Sequence, residues 1–262
     1  CSAASYDDAA RALWRHVEID AGNAAAVQRE LVRCATLAPS SHNTQCWKFA
    51  LEAQAITITP DLARRCPAVD PDDHHVFVSL GCAAENLVQA ALAHGLKAEP
   101  VFDAARDALR IALSPTAAAR SPLYDAIPQR QCTRAEYDAK PLSADDLRLL
   151  EQAASGNGVQ LLLLTDKAAL EKVLGFVVQG NSAQMNDKAF VDELKAWIRF
   201  SGSDAVLRGD GLYAASSGNP VLPGVLILEA LAQASGILVQ LSALQAPDTK
   251  PLYYLVKIDK AR

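Results

Sequence analysis

Apolar residues recur at helical spacing through the first third of the chain. Ala10, Leu13, Trp14 and Val17 share one face of residues 6–20, which predicts a helix there. Asp20-Ala21-Gly22-Asn23 interrupts the pattern and supplies cap-type residues for a second helix. In that helix Val27, Leu31, Cys34 and Ala35 fall at i, i+4, i+7 and i+8, a core-facing stripe. Pro39 disfavours the helical region for Ala38 and ends the helix there. The period then changes. Ile56 and Ile58 alternate with Thr57 and Thr59, so residues 47–51 and 55–59 read as two strands joined by a short turn and closed by Pro60-Asp61. From 74 to 94 apolar residues, among them Val78, Cys82, Leu87, Ala90 and Ala91, surround most of a helix. A helix of that kind is buried, and Glu85 and Asn86 within it need partners. Gly95 is placed to cap it. Residues 96–102 and 109–113 follow as two more strands.

The chain then begins again. Residues 115–122 are rich in Ala, Pro and Ser and read as a linker. Leu142-Ser143-Ala144-Asp145 resembles a helix start, with Leu147, Leu150, Ala153 and Ala154 as its stripe. Gly156-Asn157-Gly158 turns the chain into a strand at 159–165, whose Leu161–Leu164 run reads as buried. Asp166 opens a helix predicted for 167–200. Two polar stretches follow, 209–213 and 216–220. The short apolar run 225–228 and residues 252–258 read as strands. The order helix, loop, strand, Asp repeats that of residues 24–61, and residues 88–96 resemble 229–237, which suggests an internal repeat. The pattern as a whole is α+β.

Composition narrows the class. With 262 residues, half of them apolar, the chain can bury a large core. A net charge of −5 argues against a nucleic-acid partner. No run of about 18 apolar residues predicts a membrane span. The six cysteines are widely scattered, form no Cys-x-x-Cys and have no histidine at metal-ligand spacing, so neither a zinc site nor a disulfide framework is expected. Cys1-Ser2 fits the mature start of an exported lipoprotein, anchored through Cys1, and equally an arbitrary chain start.

One stretch stands apart from the pattern: Ala38-Pro39-Ser40-Ser41-His42-Asn43-Thr44-Gln45-Cys46-Trp47-Lys48-Phe49. Its polar side chains cannot all be core. A loop whose polar groups converge, anchored by an apolar strand, suits a planar polar ligand, and a plain surface turn stabilised by Asx and Ser contacts is the alternative. The stretch resembles the loop of the nitroreductase-like flavoproteins, most closely the exported single-chain branch similar to the mycobacterial Acg proteins. Cys46 stands where that family has Pro. Asp70-Pro71 also matches the family.

The resemblance implies a nitroreductase-like fold, with a mixed or mainly antiparallel sheet wrapped by helices and two fused pseudo-symmetric halves, 1–119 and 120–262. It implies FMN as the cofactor, held by Ser40, Ser41, Asn43 and Gln45 from the first half and by Arg130 and Arg134 from the second. Amides suit the donor and acceptor edge of the flavin ring, and arginines suit its phosphate. On their own residues, Arg130 and Arg134 are equally two surface arginines one turn apart. The implied activity is electron transfer to a nitroaromatic or quinone-type acceptor, with sequestration of FMN without turnover as the alternative. A fused pair of halves implies a monomer. No catalytic acid, base or nucleophile and no metal ligand is expected, because the flavin carries the electrons. His42 reads either as a proton donor near the flavin or as a structural loop residue. Beyond Pro220 the chain is shorter than the family pattern, and Pro223-Gly224-Val225 and Ile237-Leu238 read as abrupt junctions.

Overall fold

The computed structural model describes residues 5–132, 140–154 and 160–217. The chain divides into two compact units: residues 1–131 with 192–221, and residues 132–191 with 222–262. Residues 120–131 and 192–217, which the sequence reading assigned to the second half, therefore cluster with the first.

In the first unit, α1 (Tyr6–Leu13) starts on Ser5, whose hydroxyl oxygen accepts from the Asp8 N–H. It is shorter than predicted: Trp14 leaves the helical region at φ −85° and ψ 68°. The Asn23 side chain caps α2 (Ala24–Thr36) by accepting from the Ala26 N–H at 3.1 Å. The predicted stripe of Val27, Leu31, Cys34 and Ala35 is buried, and Glu30 is buried beside it. Burying that carboxylate is tolerable because Arg33 holds both of its oxygens at 2.7 Å.

β1 (Trp47–Glu52) and β2 (Ala55–Pro60) form an antiparallel hairpin, with Trp47 opposite Pro60. α3 (His74–Ala93) follows, then β3 (Leu96–Asp103) and β4 (Ala108–Pro115), giving an antiparallel sheet in the order β1-β2-β4-β3. α3 packs against α2 and against β2, β3 and β4. Its partners for the two polar groups are as needed: Asn86 donates to the Cys34 carbonyl at 3.1 Å, and exposed Glu85 accepts from Gln89 at 2.7 Å. Asp70, buried before the helix, accepts from the His75 and Val76 N–H groups and satisfies its first turn. Among the described residues α3 is the helix long and apolar enough to cross a membrane, with a mean hydropathy of 1.5. Its place between α2 and the sheet is that of a core helix. The short α4 (Pro122–Ala126) closes this part, with Tyr124 buried.

In the second unit, α5 (Ala144–Ala153) opens with a full capping box between Ser143 and Asp146. Residues 160–165 form no strand, and Leu162 is 78% exposed. A strand needs a neighbour to take its backbone groups, and no described residue pairs there. α6 (Lys167–Asn186) starts on Asp166. The single helix predicted for 167–200 is broken at Asp187, which turns extended at φ −90° and ψ 113° and accepts from the Ala189 N–H. α7 (Lys188–Trp197) resumes and leads into the first unit, where β5 (Ile198–Arg199) pairs in parallel with β6 (Leu212–Tyr213) around α8 (Gly202–Arg208). Tyr213 stacks on Tyr6 of α1 at 4.3 Å. The described fold is thus α+β with an antiparallel sheet and a small parallel pair. The predicted turn at 156–158, Arg134, and the runs 225–228, 229–237 and 252–258 lie outside the described residues.

Candidate functional site

The loop leaves the C-terminal end of α2 through Ala38-Pro39. Ser41–Asn43 make a single 3-10 turn, in which the Asn43 N–H donates to the Ser40 carbonyl at 3.0 Å and the Thr44 N–H to the Ser41 carbonyl at 2.9 Å. His42, Asn43 and Gln45 have φ of 47°, 52° and 52°. Left-handed backbone costs a non-glycine residue about 1 kcal/mol or more, least for Asn. Three such residues within four positions persist only because the surroundings hold them.

Part of the hold is local. The Gln45 N–H donates to Ser40 Oγ at 3.0 Å, so the Ser40 hydroxyl fixes the far end of its own loop. Cys46 and Trp47, buried at the start of β1, anchor the exit. Cys46, in the place where the resembling family has Pro, joins the core, and burial pushes its thiol up.

The rest of the hold comes from residues 209–211. Asn43 Nδ2 donates to the Gly211 carbonyl at 3.0 Å, and the Gly211 N–H returns a bond of 3.0 Å to the Asn43 carbonyl. Gln45 Nε2 donates to the Gly209 carbonyl. Between them, Asp210 takes Arg199 at 2.6 and 3.1 Å and pairs with Arg64. Arg64 Nε in turn donates to the Thr44 carbonyl at 2.6 Å. Both guanidinium groups stand over the Trp197 ring, at 5.8 Å for Arg64 and 5.7 Å for Arg199. Gly211, at φ +80°, has no room for a side chain: a Cβ there would meet the Trp197 carbonyl at 2.5 Å and Arg199 Cζ at 2.7 Å.

Arg130 reaches the same end of α2. Its Nη2 donates to the Leu37 carbonyl at 3.2 Å, three residues before Ser40, and its guanidinium lies 5.4 Å from the Trp14 ring centre. A cation suits a helix C-terminus, where carbonyls lack intrahelical partners. Of the six residues expected to hold FMN, five are therefore on one loop or at the helix end from which it leaves. Arg134 lies outside the described residues. Asn43 and Gln45 direct an amide N–H inward to the chain; their amide oxygens make no hydrogen bond among the described residues. His42 faces Cys66, with Nδ1 3.4 Å from Sγ. Burial lowers the pKa of His42, Glu193 opposing, and pushes the Cys66 thiol up to about 12. A neutral imidazole against a protonated thiol is packing, which favours the structural reading of His42.

The sequence reading missed Arg64, Trp197, Arg199 and Asp210. The Gly-rich stretch 209–213 was visible as a polar loop, but nothing local ties it to a loop some 165 residues earlier.

Comparison with known proteins divides the chain. It is 29% identical over 186 residues to two proteins of Mycobacterium tuberculosis, from strains H37Rv and CDC 1551, whose names place them provisionally among the NAD(P)H nitroreductases. The match covers 68% of this chain and 52% of each relative, so the chain spans about half the length of these curated relatives. Residues 216–262 match the FabA-like domain family. Over 45 residues the chain is 62% identical to a 3-hydroxyacyl-[acyl-carrier-protein] dehydratase FabZ of Verminephrobacter eiseniae, covering 17% of the chain and 30% of that relative. A FabZ of Legionella pneumophila is 58% identical over a stretch of the same length. The segment 229–237, one limb of the suspected repeat, falls inside the FabA-like match.

Proposed function

We propose that the chain carries a nitroreductase-like FMN site and acts as an FMN-dependent oxidoreductase. The relatives at 29% identity support an NAD(P)H-dependent oxidoreductase at the coarse level. What carries the finer reading is the loop 40–45, held in left-handed geometry at the end of α2 with Arg130 on the neighbouring carbonyl. The donor set fits the cofactor. The Ser40 hydroxyl keeps its proton to donate, because its oxygen is the acceptor for Gln45. Ser41 stands next to it. The amide oxygens of Asn43 and Gln45 offer acceptors to the ring edge, and Arg130, with Arg134 four residues on, offers planar cations to a phosphate.

When bound, FMN supplies the electron transfer to a nitroaromatic or quinone-type acceptor in a ping-pong cycle. The residues around it bind and orient. Burial keeps His42 from taking up a second ring proton and it faces Cys66, so no general acid is drawn from this loop. The chain acts as a monomer in this reading. The FabA-like segment is a separate matter: 45 residues are 30% of the length of the dehydratase relative, and a stretch that short rarely forms a core of its own.

The test is a visible absorption spectrum of the purified protein with added FMN, followed by anaerobic titration with NADH and NADPH. Bound flavin that bleaches with a nicotinamide is the expected result. Bound flavin that bleaches only with dithionite leaves an FMN-holding protein without this turnover, and no bound flavin rejects the site.

A further inference from the structure

We infer that Asp210 is a positioning residue for the flavin site, acting through Arg64 and through the flanking glycine carbonyls; this rests on the FMN reading above. Asp210 is 12% exposed and, among the described residues, is the carboxylate shared by two arginines, Arg199 at 4% and Arg64 at 34% exposure. Its two oxygens divide the work. Oδ1 takes both Arg199 Nε and Nη2, and Arg199 is itself fixed by the Ala196 and Ile198 carbonyls, so this arm is a rigid mount. Oδ2 takes Arg64 Nη2, and Nε of the same guanidinium donates to the Thr44 carbonyl. Asp210 therefore acts on Thr44 through Arg64. The residues on either side of it, Gly211 and Gly209, fix Asn43 and Gln45. Three consecutive loop residues, the ones with acceptors for a ring edge among them, are thus set by one three-residue segment. The carboxylate keeps its position because Gly211 can sit against Trp197 and Arg199 where a side chain could not. Moving the clasp by a fraction of an ångström moves the amide oxygens of Asn43 and Gln45 with it, and such displacements are what orientation at a cofactor is sensitive to.

The experiment compares the full chain with its Asp210→Asn and Arg64→Gln variants. Asn keeps the shape of Asp210 and removes its charge. Gln at position 64 sits at a partly exposed site and tests the same arm should the first variant fold poorly. Three quantities are read: FMN affinity, the position and fine structure of the bound-flavin absorption band, and hydrogen exchange at the Gly211 and Gln45 amides. Expected are about a tenfold or greater loss of FMN affinity, a shifted band for the flavin that still binds, and faster exchange at Gly211. A simple loss of folded protein would lower the amount bound and leave the band of the bound fraction unmoved, and that result overturns the assignment. Unchanged or tighter binding in both variants, with the wild-type band, overturns it too. A wild-type chain that binds no FMN overturns the flavin reading itself, and with it the role assigned to Asp210.

Discussion

α3 and α6 are both 20 residues long, and they live in different surroundings. α3 buries eight residues, four of them alanines, between α2 and the sheet. α6 buries Leu170 alone among its residues and leaves Phe176 64% exposed. Both helices form, but for different reasons. α6 has a cap, Asp166 accepting from Ala169 at 3.0 Å, and it lacks a covered face. α3 lacks a side-chain cap at its N-cap residue and is held by packing. Local signals are enough to start a helix; burial is what makes it part of a core. Residues 216–262, which the sequence reading gave to a second nitroreductase-like half, match FabA-like domains.

The contrast can be broken by substitution. Leu87, fully buried on α3, should cost about 2–5 kcal/mol when cut to Ala, measured by urea unfolding. A loss as small as that of a surface site would deny α3 its place in the core. Next in size come the clasp glycines. Gly211→Ala combines φ +80° with a blocked site and should cost about 1–3 kcal/mol, whereas Gly209→Ala, at φ +64° with open space around it, should cost about 1 kcal/mol. Equal effects would mean that space at Gly211 is not limiting.

Acid should act on the first unit. All five histidines lie between residues 16 and 94, and all three tryptophans, Trp14, Trp47 and Trp197, lie in the same unit. Burial lowers the pKa of His42 and of His94, the latter helped by His16 and Arg120 against Glu30. The unfolded chain, with histidine near 6.5, then binds protons that the folded one refuses. This stability is full above about pH 6.5 and is lost as pH falls from there through the folded values. Tryptophan fluorescence should therefore report an unfolding midpoint that drops on acidification, and a midpoint that rises would reverse the sign. Far-UV circular dichroism, which also sees α5 and α6, should not follow the same curve. The smallest effect is expected at Phe176→Ala, within about 0.5 kcal/mol of wild type. A larger loss would show that α6 has a covered face after all.

Much of the first unit was legible because its cues are periodic. Val27, Leu31, Cys34 and Ala35 mark one face of α2, Ile56 and Ile58 alternate in β2, and Pro39 stops the helix where the loop must leave. The second unit misled at Leu161–Leu164. Four apolar residues in a row look like a buried strand, but a strand exists only with a neighbour, and a run of leucines does not state whether one is there. The break at Asp187 was hidden inside a continuous helical pattern. At the loop, the residue types announced a polar site. Its left-handed geometry at Gln45 went unseen, since that residue does not favour such a backbone and part of what holds it is the distant Gly209 carbonyl. Asp210 was invisible as a functional residue for the same reason: its meaning comes from Arg64 and Arg199, and no spacing rule links them.

The bond from Asn43 to Gly211 spans 168 positions. During synthesis α2, the sheet and α3 can assemble from residues already made, yet the loop between α2 and β1 must wait for most of the described chain before it takes its final form. Closing so long a loop is slow and comes late in folding. Until then, Ser40 to Gln45 have only their local hold, the bond from the Gln45 N–H to Ser40 Oγ and the buried Cys46 and Trp47. A chain interrupted before Gly211 should keep its first core and bind no cofactor through this loop, so the completion of the site is timed by the arrival of a short glycine-flanked carboxylate from far downstream.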